Sequence, residues 1–104
     1  MIGFSNWSTT AAGTNSGATA TQAADSTRQW IVTGIGGHTD TDSLIQITDG
    51  TNVLFESKID VDVEGISFNF SNLIIPVGQG NAAVGIIASS TADCQVTIYG
   101  HSAP

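Results

Sequence analysis

Apolar and polar residues alternate along most of the chain beyond residue 27, and a period of two residues is typical of β-strands with one buried face. The alternation predicts strands over residues 28–35, 43–48, 53–58, 65–71, 73–77, 82–88 and 93–99. No segment shows the 3.6-residue period of an amphipathic helix. Strands this short and this evenly spaced predict an all-β fold, either an antiparallel β-sandwich or a barrel.

The alternation also predicts the core. In a sandwich, one sheet would contribute the stripe Ile66, Phe68 and Phe70. The facing residues would be Trp30, Ile45, Ile47 and Phe55. The first strand of the series divides into an inner set of Trp30, Val32 and Gly34 and an outer set of Ile31, Thr33 and Ile35. Val53 is predicted to point inward beside Phe55, with Glu56 and Lys58 on the opposite side.

Asp49-Gly50-Thr51-Asn52 is the strongest turn signal in the chain. Glycine takes the positive φ that a tight hairpin requires, so Gly50 predicts a hairpin between the strands on either side. Gly34, Gly36 and Gly37 lie inside or next to a predicted strand, where glycine indicates a bulge or a close backbone approach.

The N-terminal region differs in composition from the rest. Residues 5–27 are mostly Ser, Thr, Ala, Gly and Asn, and they offer little apolar area to offset the entropy of ordering. Residues 1–16 are therefore predicted to be an extended arm, and residues 17–104 the β-sandwich domain. The arm is either a flexible tail or a segment that becomes ordered on a neighbouring subunit. Residues 17–24 are predicted to dock as a weak edge strand.

The net charge and the small number of basic residues argue against some classes of partner. The chain has 104 residues, of which 40% are hydrophobic and 11% charged, and its net charge is −7. One lysine and one arginine cannot form a basic patch, so we expect no binding to nucleic acid and none to anionic membranes. A surface with so few charges offers little resistance to association, which favours an oligomer or a larger assembly.

Cys94 has no partner for a disulfide within the chain, and in the pattern Cys94, Val96, Ile98 it is predicted to be a small buried hydrophobe. The first residues lack a basic segment followed by an apolar run, so no signal peptide is expected. No apolar stretch approaches the roughly 20 residues that span a bilayer. We therefore expect synthesis and assembly in a reducing cytoplasm.

Candidate chemical groups are few. Asp60, Asp62 and Glu64 place carboxylates on one face of an extended segment and could bind Ca²⁺, but acids that keep an edge strand from pairing explain them better. Residues 38–42 (His-Thr-Asp-Thr-Asp) are predicted to be a solvated loop in which Asp and Thr side chains bond to the backbone, and His101 is predicted to be exposed. No G-x-S-x-G elbow is present. We expect no enzymatic activity, no cofactor and no metal.

The order of features resembles the small jelly-roll-type structural proteins of tailed bacteriophages, in particular capsid decoration (cement) proteins. The segments that carry the resemblance are SGATATQAA, RQWIVTGI, LIQITDGTNVLFES, GISFNFSNLIIPVGQGNAAVGIIASS and CQVTIYG, which together span residues 16–100. The resemblance implies a jelly-roll-like sandwich that binds major capsid proteins on the virion surface, commonly as a homotrimer.

The arm supplies the predicted contact residues for such a partner: Phe4, Trp7, Thr9, Thr10 and Asn15. Trp7 is predicted to be an anchor between subunits, whereas Trp30, in the middle of a strand, is predicted to lie in the core. The alternative function is a receptor- or carbohydrate-binding module of a phage tail or fibre. Its site would combine Trp7 or Tyr99 with a set of polar residues, Asp40, Asp42 and Asn81.

Overall fold

The computed structural model describes residues 5–60, 65–70, 75–76, 81–89 and 91–103. These residues form strands and no helix. The strands are β1 (Ser5–Gly13), β2 (Ala18–Gln22), β3 (Gln29–Thr39), β4 (Ser43–Thr48), β5 (Val53–Ile59), β6 (Ile66–Asn69), β7 (Ile75–Pro76), β8 (Ala83–Ala88) and β9 (Cys94–Ala103).

The strands pair as one long hairpin that is rolled into two antiparallel sheets. β4 pairs with β5, β3 with β6, β2 with β8 and β1 with β9. The rolling brings β9 beside β3 and β8 beside β4, so the first sheet has the order β1-β9-β3-β6, with β7 also on β3, and the second has the order β2-β8-β4-β5. This connectivity is that of a jelly roll, and it confirms the predicted all-β sandwich.

The core lies between the sheets and consists mainly of isoleucine and valine. Ile35, Ile45, Ile47, Ile87, Val96 and Ile98 have no exposed surface. Trp30 is buried in the core, as predicted, but β3 lies beside β6 in the same sheet, so Trp30 does not face the stripe of Ile66, Phe68 and Phe70 as predicted. Phe55 packs edge-on against Phe68 and Phe70, with ring centroids 5.0 and 5.2 Å apart, and these half-buried rings lie where the edge strands β5 and β6 face each other.

A bulge in β3 changes the predicted inner and outer sets. The register with β9 shifts between Val32 and Gly34, so the strand carries one extra residue there. Ile35 consequently lies in the core with Trp30 and Val32, although strict alternation assigned it to the opposite face. β3 also continues to Thr39, which places His38 and Thr39 in a strand instead of the predicted loop.

A second irregularity corrects the prediction for Val53. The register between β4 and β5 shifts at Ile47/Thr48, and Val53 is 54% exposed instead of pointing inward. The turn itself is as predicted: Gly50 has φ +99°, and Asp49 Oδ1 accepts hydrogen bonds from the N–H groups of Thr51 (2.9 Å) and Asn52 (2.7 Å).

The N-terminal region is part of the sandwich as far as the structure describes it. Residues 5–13 form β1, the edge strand of the first sheet, and pair with β9 of their own chain. This differs from both alternatives for these residues, a flexible tail and docking on a neighbouring subunit. Backbone pairing orders the segment although its side chains are small. Residues 18–22 form the edge strand β2, as predicted.

Candidate interaction surface

The strands of the first sheet contain no formal charge. β1, β3, β6, β7 and β9 include no Asp, Glu, Lys or Arg. In the strands of the second sheet, the charged residues are Glu56 and Lys58, both on β5. The remaining described acidic residues lie outside the strands: Asp25, Asp40, Asp42, Asp49, Asp60 and Asp93. In a chain with a net charge of −7, the described strands of one sheet therefore carry no Asp, Glu, Lys or Arg.

The outer side of this sheet is polar. Along β9, Val96 and Ile98 point into the core, so Thr97 and Tyr99 point outward. The outward residues of β1 are exposed and lie beside those of β9. We call the following set the neutral face: Asn6, Ser8, Thr10, Ser67, Asn69, Gln95, Thr97 and Tyr99. Hydroxyl and amide groups that can both donate and accept hydrogen bonds make up this set, and the imidazoles of His38 and His101 lie beside it on neighbouring positions of the same sheet.

Tyr99 lies flat across the neutral face because its neighbour on β3 has no side chain. Gly34 is directly opposite Tyr99, and a Cβ atom on Gly34 would collide with the phenol ring. The ring reaches past Gly34 to β6, where the Tyr99 hydroxyl donates a hydrogen bond of 2.6 Å to Asn69 Oδ1. The aromatic ring and the amide are thus held together across three strands.

Side-chain hydrogen bonds also connect the other rows of this face. The hydroxyl groups of Thr10 on β1 and Thr97 on β9 are 2.8 Å apart, and the two residues are directly paired. On the far side of β9, His38 Nε2 lies 3.2 Å from Gln95 Oε1. Cross-strand pairs of this kind fix rotamers in advance, which lowers the entropy that a partner's binding would cost.

The structure places the predicted contact residues in different surroundings, and only one of them belongs to the neutral face. Phe4 lies outside the described residues. Trp7 and Thr9 point toward the sandwich interior, where Thr9 Oγ1 donates a hydrogen bond of 3.1 Å to Gln22 on β2. Thr10 points outward and belongs to the neutral face. Asn15 lies in the turn after β1, with φ +55°, and its N–H donates to Asp93 Oδ1 at 2.9 Å.

Trp7 packs on the core of its own chain. Its ring meets Trp30 edge-on, with centroids 6.0 Å apart. The indole N–H of Trp30 donates to the Ala23 carbonyl at 3.1 Å, whereas the buried Nε1 of Trp7 has no acceptor among the described residues. A role for Trp7 as an anchor between subunits therefore stays a prediction, and its observed contact is intramolecular.

Shallow depressions lie along this side of the molecule. One of about 390 Å³ is bordered by Trp7, Thr33, Tyr99 and Gly100, beside the neutral face. Another, of about 340 Å³, lies at one end of the sandwich. It is bordered by Asn6, Trp7, Gln22, Asp25, Arg28, Trp30 and Ser102. Both are open concavities.

The acidic loops are stabilised locally. The Asp93 N–H (2.8 Å) and the Thr41 hydroxyl (2.9 Å) donate hydrogen bonds to Asp40 Oδ1, and these bonds lower the pKa of the Asp40 carboxyl. This matches the predicted loop in which Asp and Thr side chains bond locally, although the loop begins after Thr39. Tyr99 and Asp40 are separated by about 17 Å along the sheet, since Tyr99 lies five residue steps along β9 from Cys94, the partner of Thr39. The predicted carbohydrate site is not assembled from these residues.

No group of three or more His, Cys, Asp or Glu residues that could hold a metal ion occurs among the described residues. Asp60 is exposed, and Asp62 and Glu64 lie outside the described residues. His101 is half-buried in β9, instead of exposed as predicted. None of the described residues forms a helix that is long and apolar enough to cross a membrane.

Cys94 is buried, as predicted, and 5% exposed. Burial raises the pKa of its thiol, and Asp40 and Asp93 raise it further. The thiol lies 3.6 Å from the Ser16 carbonyl oxygen. These contacts are those of a packed structural residue.

No protein-family model matches the chain, and no curated protein matches it. A virus-like particle of the extra small virus of the giant freshwater prawn Macrobrachium rosenbergii is similar over 98% of this chain and 80% of its own, with 8% identity and a TM-score of 0.43. The Yersinia pseudotuberculosis-derived mitogen is similar over 96% of this chain and 86% of its own, with 8% identity and a TM-score of 0.38. At these values neither similarity bears on the function of this chain.

Proposed function

We propose that the protein is a non-enzymatic virion structural protein of the capsid decoration (cement) type. It binds assembled major capsid protein and stabilises the shell. The observation that carries this proposal is the neutral face: an entire sheet without formal charge on an otherwise acidic protein. The family resemblance of residues 16–100 supports the same function.

A neutral polar face suits a protein partner. Charged residues are depleted at the centre of protein interfaces, because removing a charge from water costs far more than removing a hydroxyl or an amide that finds a new hydrogen bond. Tyrosine is enriched at such centres, and Tyr99 is already held in place by Asn69. The acidic loops at the rim keep the protein away from packaged nucleic acid.

Shell stabilisation follows from mass action. A protein that binds the assembled shell but not its free subunits stabilises the shell by about 2.7 kcal/mol per site at a hundredfold excess over the dissociation constant. Attachment of a homo-oligomer through several copies multiplies weak single contacts. The resemblance implies three copies, located at the capsid surface.

The test is the thermal disruption of empty shells assembled from a candidate major capsid protein, with and without the added protein. We expect the disruption temperature to rise with added protein and to reach a plateau when the sites are full. A disruption temperature that does not change at any protein concentration would contradict the proposal.

A second candidate is a receptor- or carbohydrate-binding module, favoured by the depression that combines two indole rings with Asp25 and Arg28. Trp30 is only 7% exposed, so this site offers little ring surface for stacking. Binding on a glycan array that is lost in Asp25→Asn, with no effect of the protein on shells, would favour this candidate over the first.

A further inference from the structure

The outer strands of the two sheets differ in how they are protected against pairing with another chain. β5 carries Glu56, Lys58 and a register shift, and β6 and β2 are short, with four and five residues. Charges, irregular register and short length are the devices by which natural sheets block their edges. β1 has none of them: it has nine residues, with no charge and no proline.

β1 is also regular. All nine of its pairs with β9, from Ser5↔Ser102 to Gly13↔Cys94, follow one register without a bulge. β9 occupies one side of β1, and no described strand pairs with the other side. Because backbone groups alternate in direction along a strand, about half of the N–H and C=O groups of β1 point away from β9. A regular, uncharged edge roughly 30 Å long is available for another strand.

We propose that this edge pairs with β1 of a second copy of the chain, in antiparallel orientation about a twofold axis at Thr9. The first sheets of the two copies then form one continuous sheet. The distribution of charge allows a second copy to dock at this edge. Two chains that each carry −7 repel each other, and the side of the sandwich formed by β1 and β2 contains no charged residue in either strand. This side therefore allows two copies to approach without bringing strand carboxylates together.

The side chains of β1 complement themselves in this register. On the inner face, the large Trp7 lies opposite the partner subunit's Ala11, and Thr9 lies opposite the partner subunit's Thr9. On the outer face, Ser8 lies opposite the partner subunit's Thr10, where two hydroxyl groups can bond. Hydrogen bonds between opposite Thr and Ser or Thr side chains stabilise adjacent strands, and the small Ala11 leaves room for the indole ring. The neutral faces of the two copies become one surface.

The test uses the protein alone, in sedimentation velocity and in disulfide trapping. We expect particles with an even number of copies: two, or six where the three copies that the resemblance implies also associate. Thr9→Cys should give a covalent dimer on mild oxidation, because directly opposite residues have Cβ atoms about 4.5–5.5 Å apart, close enough for a disulfide with small adjustment. Ala11→Cys is the matched control: it lies on the same face, but the two copies of residue 11 would be about 14 Å apart. The wild type, with buried Cys94, controls for the native thiol.

A monomer or a simple trimer at all concentrations would overturn the pairing. Covalent dimers from Ala11→Cys but not from Thr9→Cys would overturn it as well. No shell is present in this experiment, so its failure leaves shell binding by the neutral face standing. Conversely, a protein that fails to bind shells can still form the disulfide-trapped dimer, so the two proposals are tested separately.

Discussion

The cost of adding a side chain at Gly34 or at Gly100 depends on which atoms lie next to the glycine. A Cβ on Gly34 would meet the end of the Tyr99 side chain, whereas a Cβ on Gly100 would meet the backbone carbonyl of Ile31. A partly exposed ring can swing away, but a carbonyl within a paired strand cannot. The two positions therefore have different functions: Gly34 provides space for the ring of the neutral face, and Gly100 allows β3 and β9 to pair.

We expect Gly100→Ala to lower the free energy of unfolding by about 1–3 kcal/mol, the usual cost of forcing extra volume into a packed region. Gly34→Ala should cost less than about 1 kcal/mol on the same scale. It should instead displace Tyr99, which a change in tyrosine fluorescence or in the aromatic NMR signals would detect. Urea denaturation of both variants measures the difference. Equal costs would show that the Tyr99 ring is as immovable as the backbone.

The pKa of Asp49 is lowered from its ordinary value of 3.8, chiefly by the N–H groups of Asn52 and Thr51. The folded state therefore favours the ionised carboxyl. Its stabilising effect is present above the unfolded pKa and disappears as the pH falls through the lower folded value. We expect Asp49→Asn to reduce stability at neutral pH and to differ less from the wild type in acid. Urea denaturation at a series of pH values tests this, and a constant difference between the two proteins would contradict it.

Cys94 should react slowly in the folded protein, since burial both shields its thiol and raises its pKa. With Ellman's reagent at pH near 8, we expect little modification in the native state. One thiol per chain should be modified after unfolding in urea. Rapid modification of the native protein would identify Cys94 as an accessible thiol.

Local residue signals predicted local structure well. The Asp49–Asn52 turn depends on its own residues, which can be read from the sequence. The burial of Cys94 and Trp30 follows from simple alternation, which the sequence also shows. The orientations of Ile35 and Val53 were predicted wrongly. In each strand one added residue reverses the alternation of faces: Ile35 comes after the addition in β3, and Val53 comes before the addition in β5. Glycines near residue 34 predicted a bulge, but not the position of the extra residue.

At the scale of elements, β1 is the clearest difference between prediction and structure. Its side chains are too small to indicate a strand by hydrophobic alternation, so the sequence predicted an arm. The order comes from nine backbone pairs with β9, a long-range interaction that no local pattern reports. By contrast, strands β4 and β8, with a buried aliphatic stripe, were predicted nearly to their ends.

Removing residues 1–13 should destabilise the whole domain. The deletion removes Trp7 and Ala11 from the edge of the core and leaves β9 without its outer partner. Loss of a fully buried tryptophan typically costs about 3–5 kcal/mol, and the partly buried Trp7 should contribute a fraction of this. We expect a marked fall in the thermal midpoint, measured by circular dichroism, and a tendency to aggregate through the uncovered β9 edge. An unchanged midpoint would restore the flexible-tail interpretation.

At the scale of the whole molecule, the positions of the charged residues indicate a contact surface, which the net charge alone does not. Composition predicted an acidic protein that avoids nucleic acid and favours association. It did not predict that the charges would be absent from every strand of one sheet, because sheet membership depends on how the chain is rolled. The signal in the sequence was the lack of Asp, Glu, Lys and Arg within residues 5–13, 29–39 and 94–103. It becomes visible only when these segments are known to be neighbours.

The most direct test of the neutral face is co-sedimentation of the protein with empty shells, using two variants that each add one positive charge. Thr97→Lys places the charge in the centre of the neutral face, and Thr51→Lys places it in the exposed β4–β5 turn. We expect the wild type and Thr51→Lys to sediment with shells equally, and Thr97→Lys to bind at least about tenfold more weakly, equivalent to about 1.4 kcal/mol. Equal binding by all three proteins, with Thr97→Lys folded by circular dichroism, would contradict the assignment of this sheet as the contact surface.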